Sequence, residues 1–191
     1  MVIVKRESKW RFDTSNGGGI STPTNVVSFA ISAGGLFLTS PAGTPWHLKY
    51  KSAGVSAGVG KTWVGGSTKE MYSTGKIMIL DAFDGTELTV DDLTGPCTIQ
   101  DVSLLMLRGI SATAMFLGLE DKDLLVEAAK DGFALSIVGG IVRDFVEEHD
   151  IDVPKVLQSS AKAMLIMGGM VGGMIGAGVS SSFGYVSKPG D

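Results

Sequence analysis

The stretch AGVSAGVG at residues 53–60 recurs in altered form as AGVSSSFG at residues 177–184. Both copies begin with Ala-Gly-Val-Ser, and in both a glycine follows the serine four residues later. Residues as small as these let another part of the chain approach the backbone closely. A structural role common to both copies is therefore a more economical explanation than a special role for one of them.

The first copy also fits the nucleophile motif G-x-S-x-G, with Ser56 at its centre. Asp84, or alternatively Asp81, and then His149 complete the chain order of a catalytic triad, so a small esterase-like serine hydrolase is the alternative hypothesis. That fold requires a helix directly after the serine, whereas residues 59–66 contain three glycines and several β-branched residues. His149 also lies in an acidic run, where a solvated histidine near a helix end is the simpler interpretation.

The sequence does not match the residue spacing of a phosphate-binding loop or of a calcium-binding loop. Lys61 follows Gly60 as in a phosphate-binding loop, but the glycine which that loop requires at position 55 is a valine. The acidic residues of 81–92 do not match the spacing of a calcium-binding loop. Cys97 is the single cysteine, and we expect it to be buried and unreactive. We therefore expect no nucleotide, no metal and no cofactor.

The composition indicates one globular domain over residues 1–191. The 27 glycines are about twice the usual share, yet the 44% hydrophobic content excludes a disordered chain. A net charge of −4 offers no basic surface for nucleic acid. The charged N-terminal residues 5–9 interrupt any secretory signal, so we expect cytoplasmic synthesis, with membrane association or signal-independent secretion as the alternatives.

The hydrophobic patterns change along the chain. Alternation at residues 26–32 and apolar runs between turn residues predict a glycine-rich antiparallel sheet, a sandwich or partial barrel, over residues 1–118. Residues 119–170 show apolar spacing typical of helices, and residues 171–191 form either a closing strand or a membrane-contacting segment. The predicted fold class is α+β.

Residues 163–187 carry no charge and are long enough to span a bilayer as a helix. Glycines recur in this segment at intervals of four, which is the pattern of a glycine zipper that lets helices associate: Gly168, Gly172 and Gly176, and also Gly169 and Gly173. In the alternative interpretation the helix stops near Gly172, and a terminal strand pairs in the sheet beside residues 53–60.

These features favour a non-enzymatic protein that acts by association. Its partner is a second copy of the chain in a homo-oligomer, another protein or a membrane. A bacterial effector exported without a signal peptide fits this description.

Overall fold

A computed structural model describes residues 4–22, 27–61, 68–72, 74–105, 110–119, 161–170 and 175–190. These residues form ten strands and one short 3₁₀ helix, Asp91–Leu93. The strands are β1 (Val4–Glu7), β2 (Arg11–Thr22), β3 (Val27–Thr39), β4 (Pro45–Lys61), β5 (Thr68–Tyr72), β6 (Thr74–Leu80), β7 (Gly95–Leu105), β8 (Ile110–Leu117), β9 (Ala163–Met170) and β10 (Ile175–Ser187).

All ten strands belong to one antiparallel sheet, in the order β1-β6-β9-β8-β7-β10-β4-β3-β2-β5. Strands β2, β3 and β4 form a meander, and β7 and β8 form a pair of neighbours. The last strand, β10, lies between β4 and β7 and pairs with both. It is therefore the strand that joins the two halves of the sheet.

The two edges of the sheet meet because the edge strands continue into strands at the opposite edge. β1 leads into β2 through residues 8–10, and β5 leads into β6 across position 73. β1 pairs with β6 while β2 pairs with β5, and the amide of Ser8 donates to the carbonyl of Ile77 at 2.8 Å. The sheet consequently curls, with a concave inner face and a convex outer face.

The main hydrophobic core fills one end of the concave face. Its side chains come from strands all round the sheet, which is only compatible with a position inside the curl. Leu36, Leu48, Ile77 and Leu165 are fully buried there. Cys97 belongs to the same core, and burial raises the pKa of its thiol to about 12. Cys97 is thus buried and poorly ionised, as predicted.

A second apolar cluster lies on the convex face of β6, β8 and β9. The residues that alternate with the core residues on these strands are buried too, including Leu80, Phe116 and Met164. Strand β9 is therefore apolar on both of its faces. A strand of this kind reads as a continuous hydrophobic run in the sequence.

The predicted α+β fold is wrong. In the part of the chain that the structure describes there is no α-helix, and almost every element is an antiparallel strand. Residues 161–170, which were expected in the helical part, lead into and form β9, because burial on both faces hides the period of two. The remaining helical prediction, over residues 120–160, lies outside the described residues.

The glycine segment is not a continuous helix. Gly168 and Gly169 lie in β9 and Gly176 lies in β10, while positions 172 and 173 fall outside the described residues. The alternative interpretation, in which a terminal strand pairs in the sheet, agrees with the structure. The terminal strand pairs beside residues 53–60, with Gly178 opposite Gly58.

Glycines on the concave face make room for the ring of Tyr50, which packs against the main core. A Cβ added to Gly34 would lie 2.7 Å from the Tyr50 ring and 2.7 Å from the Cα of Gly17, and it would collide with the carbonyl oxygen of Asn16. Two of these three neighbours are backbone atoms, which cannot move without disturbing the β2–β3 pairing. Gly34 is therefore required by close approach of the strands.

We expect Gly34→Ala to lower the free energy of unfolding by about 1–3 kcal/mol, because the added methyl group overpacks this contact. Urea titration of the purified protein measures the change. Ala33→Val is the matched control, since Ala33 is the exposed neighbour on the opposite face of β3. Equal stability of the Gly34 variant and the wild type would contradict the required close approach.

Candidate functional site

The concave face of β3, β4 and β10 changes from apolar to polar along the strands. At the core end its residues are leucines and a valine, then come glycines and a tyrosine, and beyond these come serines. The successive inward positions are Leu36, Gly34 and Ser32 in β3, Leu48, Tyr50 and Ser52 in β4, and Val186, Gly184 and Ser182 in β10.

The three serines form a hydroxyl cluster across adjacent strands. The oxygens Oγ of Ser32 and Ser52 lie 2.6 Å apart, and the hydroxyl of Ser182 donates to Oγ of Ser52 at 3.2 Å. Ser52 and Ser182 are buried, with 5% and 8% of their surface exposed. Buried hydroxyls are costly unless they are hydrogen-bonded, so this mutual pairing is what allows a polar inner face here.

Ser56 is the middle position of a row of three serines in the sheet. It lies four residues beyond Ser52 in β4, and the register pairs it with Ser28 on one side and Ser180 on the other. Ser180 is the serine of the second copy of the sequence repeat, so the two copies lie in neighbouring strands and their serines are register partners. The repeat is thereby explained as a structural feature common to both copies.

The structure describes the backbone around Ser56 and the position of Asp84, two of the three proposed catalytic residues. Strand β4 continues through Ser56 to Lys61, so the strand-to-helix turn of a nucleophile elbow is absent at this serine. Asp84 is exposed in the turn after β6, a strand that does not pair with β4. His149 lies outside the described residues.

The other histidine, His47, does not replace His149 as a base. It lies nine residues from Ser56 along β4, which is an odd number and corresponds to roughly 30 Å of extended strand. The two residues therefore lie on opposite faces. The His47 ring stacks on Phe37, with ring centroids 4.2 Å apart.

The convex face of the same strands carries an apolar patch, in the half where the concave face is polar. We call it the outer patch, and it comprises Ile31, Ala33, Ala53, Phe183 and Tyr185. The register places Ile31, Ala53 and Phe183 in one row across β3, β4 and β10. Ile31 and Tyr185 are large hydrophobic residues with 57% and 56% of their surface exposed. The usual order of a water-facing sheet, polar outside and apolar inside, is thus reversed in this region.

The connection between β6 and β7, residues 81–94, is an acidic turn that covers the end of the curled sheet where the main core lies. Its Leu88 and Leu93 enter the main core, and the indole N–H of Trp10 donates to the carbonyl of Leu88 at 2.7 Å. The carboxylates of this turn pair with cations from strand ends around the sheet: Asp81 with Lys5, Glu87 with Arg6, Asp91 with Lys188, and Asp92 with Lys162.

Two of these carboxyl groups have shifted pKa values. Burial raises the pKa of Glu87, but hydrogen bonds from Ser8, from the backbone of Leu88 and Lys9 and from Arg6 outweigh it, so the net pKa is lowered. The pKa of Asp92 is lowered in the same way, because hydrogen bonds from Thr89 and the nearby Lys162 exceed the effect of burial. Both groups are therefore held ionised by their partners.

Two further features are absent from the described ranges. No group of three or more histidine, cysteine, aspartate or glutamate side chains is placed there to hold a metal ion. In those same ranges, no helix is both long enough and apolar enough to cross a bilayer.

Sequence comparison relates the chain to a bacterial toxin over nearly its whole length. That relative is the toxin protein Tse4 of Pseudomonas aeruginosa, which is 29% identical over 194 aligned positions covering 93% of this chain and 93% of Tse4. No family model matches the chain. No solved structure matches it either. The similarity to Tse4 supports the prediction of a bacterial effector.

We expect acid to destabilise the core end of the sheet, where the acidic turn lies. A carboxyl group with a lowered folded-state pKa contributes stability above its unfolded pKa, and this is lost as the pH falls through the folded value. Glu87→Gln should therefore melt below the wild type at pH 7, and the difference should shrink below about pH 4. Thermal melts between neutral and acidic pH measure this.

The control is Glu7→Gln, which removes an exposed ion pair with Lys76. Exposed pairs contribute little, so this variant should melt close to the wild type throughout. A melting difference for Glu87→Gln that stays constant over the whole pH range would show that Glu87 does not act through its charge.

Proposed function

We propose that this chain is a bacterial toxin effector that acts by contact with a membrane and without covalent chemistry. The observation that carries the proposal is the outer patch. Its exposed apolar side chains lie on the same strands whose inner face holds paired serine hydroxyls. Toxicity is proposed on the similarity to Tse4.

Exposure of the outer patch to water is unfavourable. Covering the exposed half of Ile31 alone contributes about 1 kcal/mol to binding an apolar surface. Ala33, Ala53, Phe183 and Tyr185 extend the same surface across three strands. A contiguous apolar surface of this kind is typical of sites that bind a membrane or another protein.

The neighbours of the outer patch favour a membrane as its partner. Lys51 lies between Ala33 and Tyr185 in the row beside Ile31 and Ala53. Tyrosine and lysine are enriched where a protein passes from the apolar interior of a bilayer to its headgroups, because each has an apolar body and a polar tip. An apolar row followed by a row with tyrosine and lysine reproduces that order.

Action without covalent chemistry rests on the position of Ser56. This serine has a structural explanation as part of the paired row with Ser28 and Ser180. Asp84 belongs to the turn after β6 and His47 lies nine residues away along β4, and both positions favour a structural role for this serine.

We expect Ile31→Asp to weaken binding to lipid vesicles by at least about tenfold, since it removes an apolar contact and adds a charge that must lose its water. Flotation of the purified protein with vesicles measures the bound fraction. Ala42→Asp is the matched control, because it adds the same charge in the exposed turn between β3 and β4. Far-ultraviolet circular dichroism of both variants verifies that the sheet is retained.

Two results would overturn the proposal. A wild-type protein that does not float with any vesicle would exclude membrane contact and leave a protein partner for the outer patch. Equal flotation of the wild type and Ile31→Asp would show that another surface makes the contact.

We expect Ser56→Ala to inhibit the growth of a bacterial host as strongly as the wild type, because the serine has no catalytic role. Growth curves after induced expression measure inhibition, and Ile31→Asp serves as the weakened comparison. Loss of inhibition in Ser56→Ala, with folding and vesicle binding unchanged, would restore the serine hydrolase hypothesis.

A further inference from the structure

Two lysines on the convex face of β4 have no ion-pair partner among the described residues, unlike most of the other described lysines. Lys49 and Lys51 are exposed, and no carboxylate among the described residues lies within ion-pair distance of either. By contrast, four other lysines each have a carboxylate within 4 Å: Lys5, Lys76, Lys162 and Lys188. Among the described residues, Lys49 and Lys51 therefore present positive charge that no carboxylate neutralises.

These two charges are placed next to the outer patch. Lys49, Lys51 and Ala53 alternate along β4, so they occupy the same face in steps of roughly 6.6 Å. The row of Ala53 is apolar, the row of Lys51 includes Tyr185, and the row of Lys49 contains Gly35 and Ser187. The face thus passes from apolar to cationic within two steps along the strand.

This local charge has a sign opposite to that of the whole chain. The net charge of −4 gives no general attraction to an anionic surface. Any attraction to such a surface has to come from cations placed where the contact forms. Lys49 and Lys51 meet that requirement, because a bilayer that covers Ile31 and Ala53 has its headgroups at the level of the two lysines.

We propose that the outer patch selects membranes rich in anionic phospholipids, with the ammonium groups of Lys49 and Lys51 pairing with the headgroup phosphates. This inference rests on the proposed membrane contact and names the lipid class for it. Each lysine near an anionic surface contributes about fivefold to the binding constant. The pair together accounts for about twenty-five-fold, in addition to the apolar contact.

The test compares vesicles of phosphatidylcholine alone with vesicles that also contain phosphatidylglycerol. The full-length protein is titrated with each vesicle at low and at high salt. The test variant is Lys49→Gln with Lys51→Gln. The matched control is Lys9→Gln with Lys76→Gln, which removes the same charge from exposed lysines of β6 and the β1–β2 link.

We expect the wild type to bind the anionic vesicles at least tenfold more tightly, with the preference reduced by high salt. The test variant should lose the preference while it keeps the binding to phosphatidylcholine, and the control should behave like the wild type.

Four outcomes would contradict the inference. Equal binding of the wild type to both vesicles, or an unchanged preference in the test variant, would overturn the lipid selectivity and leave the membrane contact in place. Equal losses in the test variant and the control would assign the preference to overall charge. Binding to neither vesicle would overturn the selectivity together with the proposed function.

Discussion

The pairing of β10 with β4 is the contact on which the rest of the sheet depends. All 13 residues of β10 have partners in β4, and most of them also have partners in β7. Without β10, the meander of β2, β3 and β4 would be separated from β7, β8 and β9. Ser180 and Ser56 lie far apart in the chain, so the loop that this pairing closes is long and its entropic cost is high. The concave core is therefore completed only when the last strand has been inserted.

The sequence predicts the strands better than it predicts the fold class. Alternation and turn residues mark the strands of the first 118 residues, and the repeat marks the partner of the terminal strand. The α+β prediction is wrong at β9, which was assigned to the helical part. Leu165 of this strand enters the concave core and Met164 enters the convex cluster. A strand buried on both faces has no polar alternate positions, so its hydropathy matches that of a buried or membrane-spanning helix. Glycines spaced by four add to the resemblance to a helix, because the same spacing is typical of helix–helix contacts.

The sequence does not predict which face of β3 lies inside the curled sheet. The alternation at residues 26–32 separates serines from apolar residues, which is visible without a structure. It does not reveal which of the two sets lies inside the curl. A reader of the sequence would place Ile31 in the core and Ser32 in water, since that order is usual for a half-buried strand. The sequence also does not reveal that Lys49 and Lys51 lie near Ile31 and Tyr185, because the strand register brings these residues together.

The reversed faces and the acidic turn divide the sheet into two ends with different sources of stability. At the core end, buried leucines and ion-paired carboxylates hold the strands together. At the serine end, the described inner positions of β3, β4 and β10 contain hydroxyls and glycines, which bury little apolar surface. Hydrophobic stabilisation at that end has to come from the convex face, where Ile31 and Tyr185 are still exposed to water. A partner that covers this face therefore stabilises the end of the sheet that lacks a core of its own, because whatever binds the folded state preferentially adds its binding free energy to folding. Binding on the convex face would therefore be coupled to folding of the serine end, whereas the core end buries leucines of its own.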